Sequence, residues 1–259
     1  MHHSNRNEFK ELSGRLSRSI REDGLLCFLQ RLRSYASRKA NGLLFGDELG
    51  RVDQTVKAAQ AAVAELLGPE HYYHTYRKHE LSYWGPAIPW LKELKDVKNV
   101  LDVGAAYGTL SVVASQLYPG TKLHIIDPVE YLNPLLRERY GIKTFRGDIE
   151  RDAFPEIPKC DLLIFTEVLE HLNFHPVPTL RKLHSMMTST AHLLLSTPAA
   201  ESAWGRVEDS YASVDEIPEY QGQDVAWIDQ HIYQYSLDEL NAVFPKPGLL
   251  LPCMQEQQN

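Results

Sequence analysis

The stretch "VLDVGAAYGTLS", Val100 to Ser111, decides how the rest of the chain is read. Its first residues are apolar and suit a buried strand. Gly-Ala-Ala-Tyr-Gly then makes a small-residue turn, and Thr-Leu-Ser opens a helix. Such a strand–turn–helix can hold a dinucleotide, a nucleotide phosphate or a nucleoside. A dinucleotide fingerprint needs Gly-x-Gly-x-x-Gly, the third Gly allowing close helix packing. This chain has Gly104, then Ala106, then Thr109 at those places. A Walker loop needs Gly-Lys-Ser/Thr, and the turn has none.

Working outward, the pattern is regular from about residue 98. "NVLDVG", "TKLHIID", "IKTFRGD", "KCDLLIFTE" and "AHLLLST" read as strands. "YGTLSVVASQLY", "VEYLNPLLRERYG" and "PVPTLRKLHSMM" read as the helices between them. Strands alternating with helices predict a parallel sheet covered on both faces. The expected class is α/β, a Rossmann-like, doubly wound, mostly parallel sheet with an N-terminal helical extension. The expected division is 1–70 for the extension and 71–259 for the main domain. An insert at about 198–235 breaks the alternation. It carries eight Asp/Glu against Arg206 alone, together with six Trp and Tyr residues. A loop of that length with that aromatic content reads as a lid or substrate wall.

The chain has 259 residues and a formal charge of −7, which argues against a general nucleic-acid binder. The charge is uneven: residues 1–40 hold nine Lys/Arg and four Asp/Glu. Residues 8–40 are amphipathic at helical spacing. They are expected to pack on the main domain or a second copy of the chain, or to lie on an anionic membrane surface. Cys27, Cys160 and Cys253 are far apart and show no metal-binding spacing. With no signal-peptide pattern and no long apolar run, a cytoplasmic location is expected, with peripheral contact at the inner membrane face as the alternative.

Three strands end in a carboxylate. Asp102 precedes the glycine turn, Asp127 ends "HIID", and Asp148 follows "FRG". The first suits a ligand's cationic amino group, the second a ribose diol, the third an exocyclic adenine amine with Ile149 packing on the ring. Amino acid, ribose and adenine without phosphate describe S-adenosylmethionine. At "DVGAAYG", "IIDP", "GDIE" and "CDLLIFTEVLEHL" the chain resembles the class I S-adenosylmethionine-dependent methyltransferases, over about residues 98–240. The resemblance implies that Asp102, Gly104, Ala105 and Gly108 line the methionine end. It places Asp127 and Pro128 at the ribose, Asp148 and Ile149 at the adenine, and Thr166 beneath the cofactor. Ala106 replaces the family's middle glycine. The family's sheet ends in an antiparallel pair, whereas "GLLLPCMQEQQN" suffices for one strand.

Catalytic candidates lie in "EVLEHL", expected to start a helix after "LLIFT". There Glu167, Glu170 and His171 would share a face. With His231 from "DQHIYQYSLDEL" they could hold Mg²⁺, Mn²⁺ or Zn²⁺, which would lower the pKa of an acceptor hydroxyl. The group is similar to two methyltransferase branches. One acts on quinol precursors in ubiquinone synthesis, the other on the 2′-hydroxyl at the 3′ end of small RNAs. Without a metal, Glu170, His171 and His231 remain the catalytic candidates, either histidine being able to take a hydroxyl proton. His231 could equally serve the entry to a helix capped by Ser236 and Glu239. The acidic lid opposes long RNA. The expected acceptor is therefore a small molecule or glycan, methylated on oxygen. Alternatives are an amine acceptor and a non-catalytic cofactor-binding module.

Overall fold

The computed structural model describes residues 53–200 and 210–244. Helix α1 (Gln54–Glu65) and helix α2 (Tyr73–Tyr83) come first, followed by a 3₁₀ turn (Gly85–Ala87) and the short α3 (Ile88–Glu93). Then come β1 (Asn99–Val103), α4 (Thr109–Leu117), β2 (Lys122–Asp127), α5 (Pro134–Tyr140) and β3 (Lys143–Arg146). Strand β4 (Cys160–Thr166), a 3₁₀ turn (Leu169–His171), α6 (Pro176–Ser185) and β5 (Met187–Ser196) continue the alternation. A last 3₁₀ turn (Val214–Glu216) and α7 (Leu237–Val243) close the described chain.

The five strands form one sheet in the order β3-β2-β1-β4-β5, every neighbouring pair parallel. The chain winds outward from β1 to β3, then returns to the other side of β1 for β4. The crevice at the carboxyl ends of β1 and β4 is where such sheets bind ligands. Alternate strand residues feed two cores. Val100, Ile125, Leu162 and Leu194 pack on one face with α1 and α4. Leu101, Val103, Phe165 and Leu195 pack on the other with Leu183 of α6 and Leu240 of α7. Burial on both faces explains the unbroken apolar runs in the sequence. The Rossmann-like α/β class is therefore what the chain adopts.

Element ends differ from the sequence reading in three places. The helix expected over "VEYLNPLLRERYG" begins only at Pro134, because Asn133 caps it by accepting from the Leu135 amide. Strand β5 starts at Met187, four residues before the expected Ala191. The helix expected after β4 is a single 3₁₀ turn.

Helix α1 starts at Asp53, whose side chain accepts from the Thr55 amide. It buries Val56, Ala59 and Val63 in the core that also holds Leu110 and Val113 of α4. Polar groups fix the contact. Glu80 of α2, 4% exposed, accepts from Thr109 Oγ1 at 2.6 Å and from Gln60 Nε2 at 2.9 Å. The Tyr73 hydroxyl lies 3.0 Å from Thr109 Oγ1. Thr109 is the first residue of α4, so this network braces the helix that leaves the glycine turn. Replacing Glu80 by Ala removes two buried hydrogen bonds to a carboxylate, leaving Gln60 Nε2 with the Arg77 carbonyl and Thr109 Oγ1 with the Tyr73 hydroxyl. A loss of about 3 kcal/mol is expected, or roughly 5–15 °C in melting temperature, with a smaller loss for Glu80→Gln, which still accepts from Thr109. Thermal unfolding of the two variants checks this, and equal stability of Glu80→Ala and the parent would remove the network as a brace.

No helix among the described residues is long and apolar enough to cross a membrane. The amphipathic stretch 8–40, residues 201–209 of the lid and the final strand-like segment all lie outside the described residues.

Candidate active site

The turn after β1 has the backbone that its small residues allow. Gly104, Ala106 and Gly108 all have left-handed φ, +69°, +46° and +80°. A Cβ on Gly104 would lie 2.4 Å from Val168 Cγ2, and one on Gly108 would lie 2.5 Å from Leu132 Cδ1. The two glycines thus serve both conformation and close approach. The turn is held by Gly104 N donating to the Ile126 carbonyl and Gly108 N donating to that of Ala105. Asp102, expected at the methionine end, is 2% exposed and accepts from Ser111 Oγ of α4 at 2.6 Å, so it braces the turn from beneath. Burial pushes its carboxyl up to about 7.

Asp127 sits at the end of β2 with one oxygen accepting from the Val129 amide at 2.9 Å and the other from the Ala106 amide at 3.3 Å. It therefore ties the glycine turn to the neighbouring strand end. Two acceptor oxygens keep lone pairs beyond those bonds. Burial, partly offset by the two amides, pushes its carboxyl up to about 6. A cavity of about 230 Å³ borders Ala106, Asp127, Val129 and Tyr131. A second, of about 440 Å³, borders Phe145, Asp148 and Ile149. The Pro128 carbonyl accepts from Arg146 Nε at 3.2 Å.

The adenine-side residues are more enclosed than the sequence suggested. Ile149 is 6% exposed and belongs to the second core. Asp148 accepts from the Glu150 amide and pairs with Arg151 Nε at 3.1 Å. Thr166, partly buried, ends β4 opposite Ser196 of β5.

At the carboxyl end of β4 the expected helix is replaced by a bend. Glu167 has φ +54°, and only Leu169–His171 form a 3₁₀ turn. Glu167, Glu170 and His171 therefore do not share a helical face. Glu167 turns to Ser196, accepting from its Oγ at 2.9 Å, while Glu170 accepts from Thr197 Oγ1 at 2.9 Å. Glu170 is fully buried and its Oε1 has no hydrogen-bond partner. Burial, and then the charge of Glu167, push Glu170 up to about 8; burial pushes Glu167 up to about 7.

Glu170, His171 and His231 each offer a ligand atom within 4.8 Å of the others, so of the four expected metal ligands these three converge and Glu167 stays apart. The two imidazoles pack edge to face at 4.8 Å. Asp229, absent from the sequence candidates, stands 3.4 Å from His171 Nδ1 through its Oδ1. Burial and the neighbouring His231 hold His171 below the ordinary histidine value, with Asp229 pulling the other way. The signal for Asp229 was present as the Asp two residues before His231, hidden among the lid's other acids.

The described part of the lid, 210–235, folds back on this turn. Ile232 N and Tyr233 N donate to the Glu170 carbonyl, and Tyr233 and Tyr235 are buried. Ser236 and Glu239 form the expected capping box at the start of α7. On the opposite rim, Tyr107 stacks edge-on with Tyr73 and Tyr76 and lies 6.0 Å from Tyr131. Tyr76 feels the charges of both Glu80 and Glu167. Tyr73 and Trp84 are packed in the core while Tyr72 is 64% exposed.

A family model for the methyltransferase domain matches residues 72–251, more than half of the chain. A demethylspheroidene O-methyltransferase of Rhodobacter capsulatus is 28% identical over 114 residues, 44% of this chain and 28% of that relative. Among solved structures, a SAM-dependent methyltransferase from Aquifex aeolicus is 16% identical at a TM-score of 0.42, covering 72% of this chain and 86% of that one. Human N-acetylserotonin methyltransferase, in complex with SAM, is 15% identical at a TM-score of 0.40, covering 76% and 59%. A doubly wound sheet with a left-handed glycine turn at its switch point, and a domain match running through that turn and past the Glu170–His171 bend, agree on one assignment: this chain belongs to the class I S-adenosylmethionine-dependent methyltransferases.

Proposed function

We propose that the protein methylates an oxygen atom of a small-molecule or carbohydrate-like acceptor, with His171 as the proton acceptor. The observation that carries this reading is the convergence of His171, His231 and Asp229 beside the Glu170 bend, at the carboxyl end of β4. The acceptor oxygen attacks the methyl carbon, the carbon–sulfur bond breaks, and its electron pair stays on sulfur. The hydroxyl proton must leave, and a half-buried imidazole held below its ordinary pKa is neutral and ready to take it. The demethylspheroidene O-methyltransferase match supports oxygen as the acceptor atom. The acid-rich lid supports a small or uncharged acceptor over a phosphate-rich one. Incubating the protein with methyl-labelled cofactor and a panel of hydroxylated small molecules and glycans tests the reading. Transfer only to amines would overturn it.

The cofactor end of the same reading rests on Asp127 as the ribose ligand. Asp127→Ala removes charge-assisted hydrogen bonds worth roughly 1.5–3 kcal/mol. Affinity for S-adenosylhomocysteine should fall about tenfold to a hundredfold, measured by calorimetry. A ribose hydroxyl favours the charged carboxylate, and in the free protein that carboxyl titrates at about 6. Affinity should therefore be full above that pH and weaken as pH falls through it. Unchanged affinity in a folded Asp127→Ala protein would refute the assignment.

A second reading has its own observation: Glu170 Oε1 is buried without a hydrogen-bond partner, in the group where ligand atoms of Glu170, His171 and His231 converge. A divalent cation held by these three residues would satisfy that oxygen and would acidify an acceptor hydroxyl. Carboxylate and imidazole suit Mg²⁺, Mn²⁺ or Zn²⁺ in differing degree.

A further inference from the structure

The lid segment 221–230 has no helix or strand, and every residue in it is exposed. Yet it delivers Asp229 to within 3.4 Å of His171. What holds it there is a set of side chains outside the catalytic cluster. Asn173 Nδ2 donates to the Ile228 carbonyl at 2.9 Å, and Asn173 Oδ1 accepts from the Ile228 amide at 2.8 Å. One side chain thus pairs with both backbone groups of a single residue, as a neighbouring strand would. The same Nδ2 also donates to the His171 carbonyl at 2.9 Å. Asn173 therefore bridges the backbone of His171 to that of the residue preceding Asp229.

The bridge is itself anchored. Glu150, 8% exposed, accepts from the amides of Asn173 and Phe174 at 2.9 and 2.8 Å. Next to it, Arg151 donates to the Val225 carbonyl at 2.5 Å and lies over the rings of Phe174 and Tyr220. The loop that follows β3 thus grips the lid at Val225 directly and at Ile228 through Asn173.

We propose that Asn173 is a positioning residue: its amide clamps Ile228 so that Asp229 is held against His171, with Arg151 as the second arm of the clamp. The clamp acts through the lid backbone and shares no hydrogen bond with the glycine turn or with Asp127, which the Asp229 charge reaches only through space. Its effect on turnover rests on the reading of His171 as proton acceptor; its effect on the lid does not.

The test compares Asn173→Ala, Arg151→Ala and Asp229→Asn with the parent, all saturated with S-adenosylhomocysteine. Backbone hydrogen exchange across 224–230 and the ring NMR signals of His171 are read first. Two net hydrogen bonds of ordinary strength correspond to roughly a tenfold to hundredfold shift in the lid's docking equilibrium. Asn173→Ala should speed exchange across 224–230 by that factor. It should also move the His171 signals toward those of Asp229→Asn, with affinity for S-adenosylhomocysteine within about twofold. Arg151→Ala should speed exchange most at Val225. With an acceptor in hand, kcat should fall in Asn173→Ala by about tenfold or more while the KM for cofactor holds. Unchanged exchange, or unchanged His171 signals with faster exchange, overturns the proposal. Faster exchange and shifted signals with an unchanged kcat would confine the clamp to the lid and overturn its catalytic part. If no hydroxylated acceptor is methylated by the parent, the proposed function fails, and exchange and His171 signals still decide the clamp. If Asn173→Ala does not fold, Asn173→Asp, which loses the donor but keeps the acceptor, carries the same test.

Discussion

His171→Ala should lower turnover by about a hundredfold to ten-thousandfold, the usual contribution of a positioned general base. Affinity for S-adenosylhomocysteine should stay within about twofold. The split follows from where the residue sits. His171 stands in the turn after β4, beside Glu170 and His231, whereas the glycine turn and Asp127 belong to β1 and β2. Losing the ring removes a proton acceptor without touching the strand ends read as the cofactor cradle. A pH profile gives a second readout. The imidazole must be neutral to accept a proton, and burial together with His231 lowers its pKa below the ordinary value. Activity should therefore be full at neutral pH and fall as pH drops through a value under about 6.5. Asp229→Asn removes the carboxylate that pulls the other way, so the acidic limb should move to still lower pH. Single-turnover rates at saturating cofactor measure the chemical step directly. A folded His171→Ala protein with parental single-turnover rate would assign proton removal elsewhere, with His231 next in line.

The strand–turn–helix at Val100–Ser111 and the alternation after it were legible because burial on both faces forces continuous apolar strands, a pattern that needs no long-range information. The left-handed turn was legible for a similar reason, since glycines at 104 and 108 admit what other residues resist. Asp102 shows where such reasoning stops. Its position at a strand end is visible in sequence, but the direction of its carboxylate is set by Ser111, nine residues on in another element. The "EVLEHL" segment fails more sharply. Its i, i+3, i+4 spacing is helical, yet the Glu167 amide is drawn to the Ser196 carbonyl and the lid chain takes the Glu170 carbonyl. Those tertiary bonds replace the helical ones, and Glu167 turns its carboxylate to Ser196. Asp229 is hidden among the lid's other acids, and Asn173 and Arg151 lie beyond sequence reading altogether. Their roles come from contacts 58, 55 and 74 residues apart along the chain, and none belongs to a periodic pattern.

The other large effect is expected at Glu170, and it separates the two readings of the site. Glu170→Ala should cost about a hundredfold or more in turnover, since it empties a fully buried position against Thr197 and His171. Glu170→Gln is the informative variant. Burial and the charge of Glu167 push the Glu170 carboxyl up to about 8, so without a cation it is largely protonated at neutral pH. Glutamine copies the shape and the single donor–acceptor pair of a protonated carboxyl. In the metal-free reading Glu170→Gln should therefore keep turnover within a fewfold, and chelator should change nothing. A divalent cation alters each step of that argument. It favours the carboxylate, lowers the pKa and releases a proton on binding. Glutamine is then a poor ligand, turnover should fall with Glu170→Gln as far as with Glu170→Ala, and chelator should abolish it. Combining Glu170→Ala with His231→Ala should then cost little more than either change alone, because residues acting through one ion are strongly non-additive. Restoration by one added metal after chelation, with proton release measured on titration, would establish the ion. Full turnover of Glu170→Gln in excess chelator would leave His171 and its lid carboxylate to remove the proton unaided.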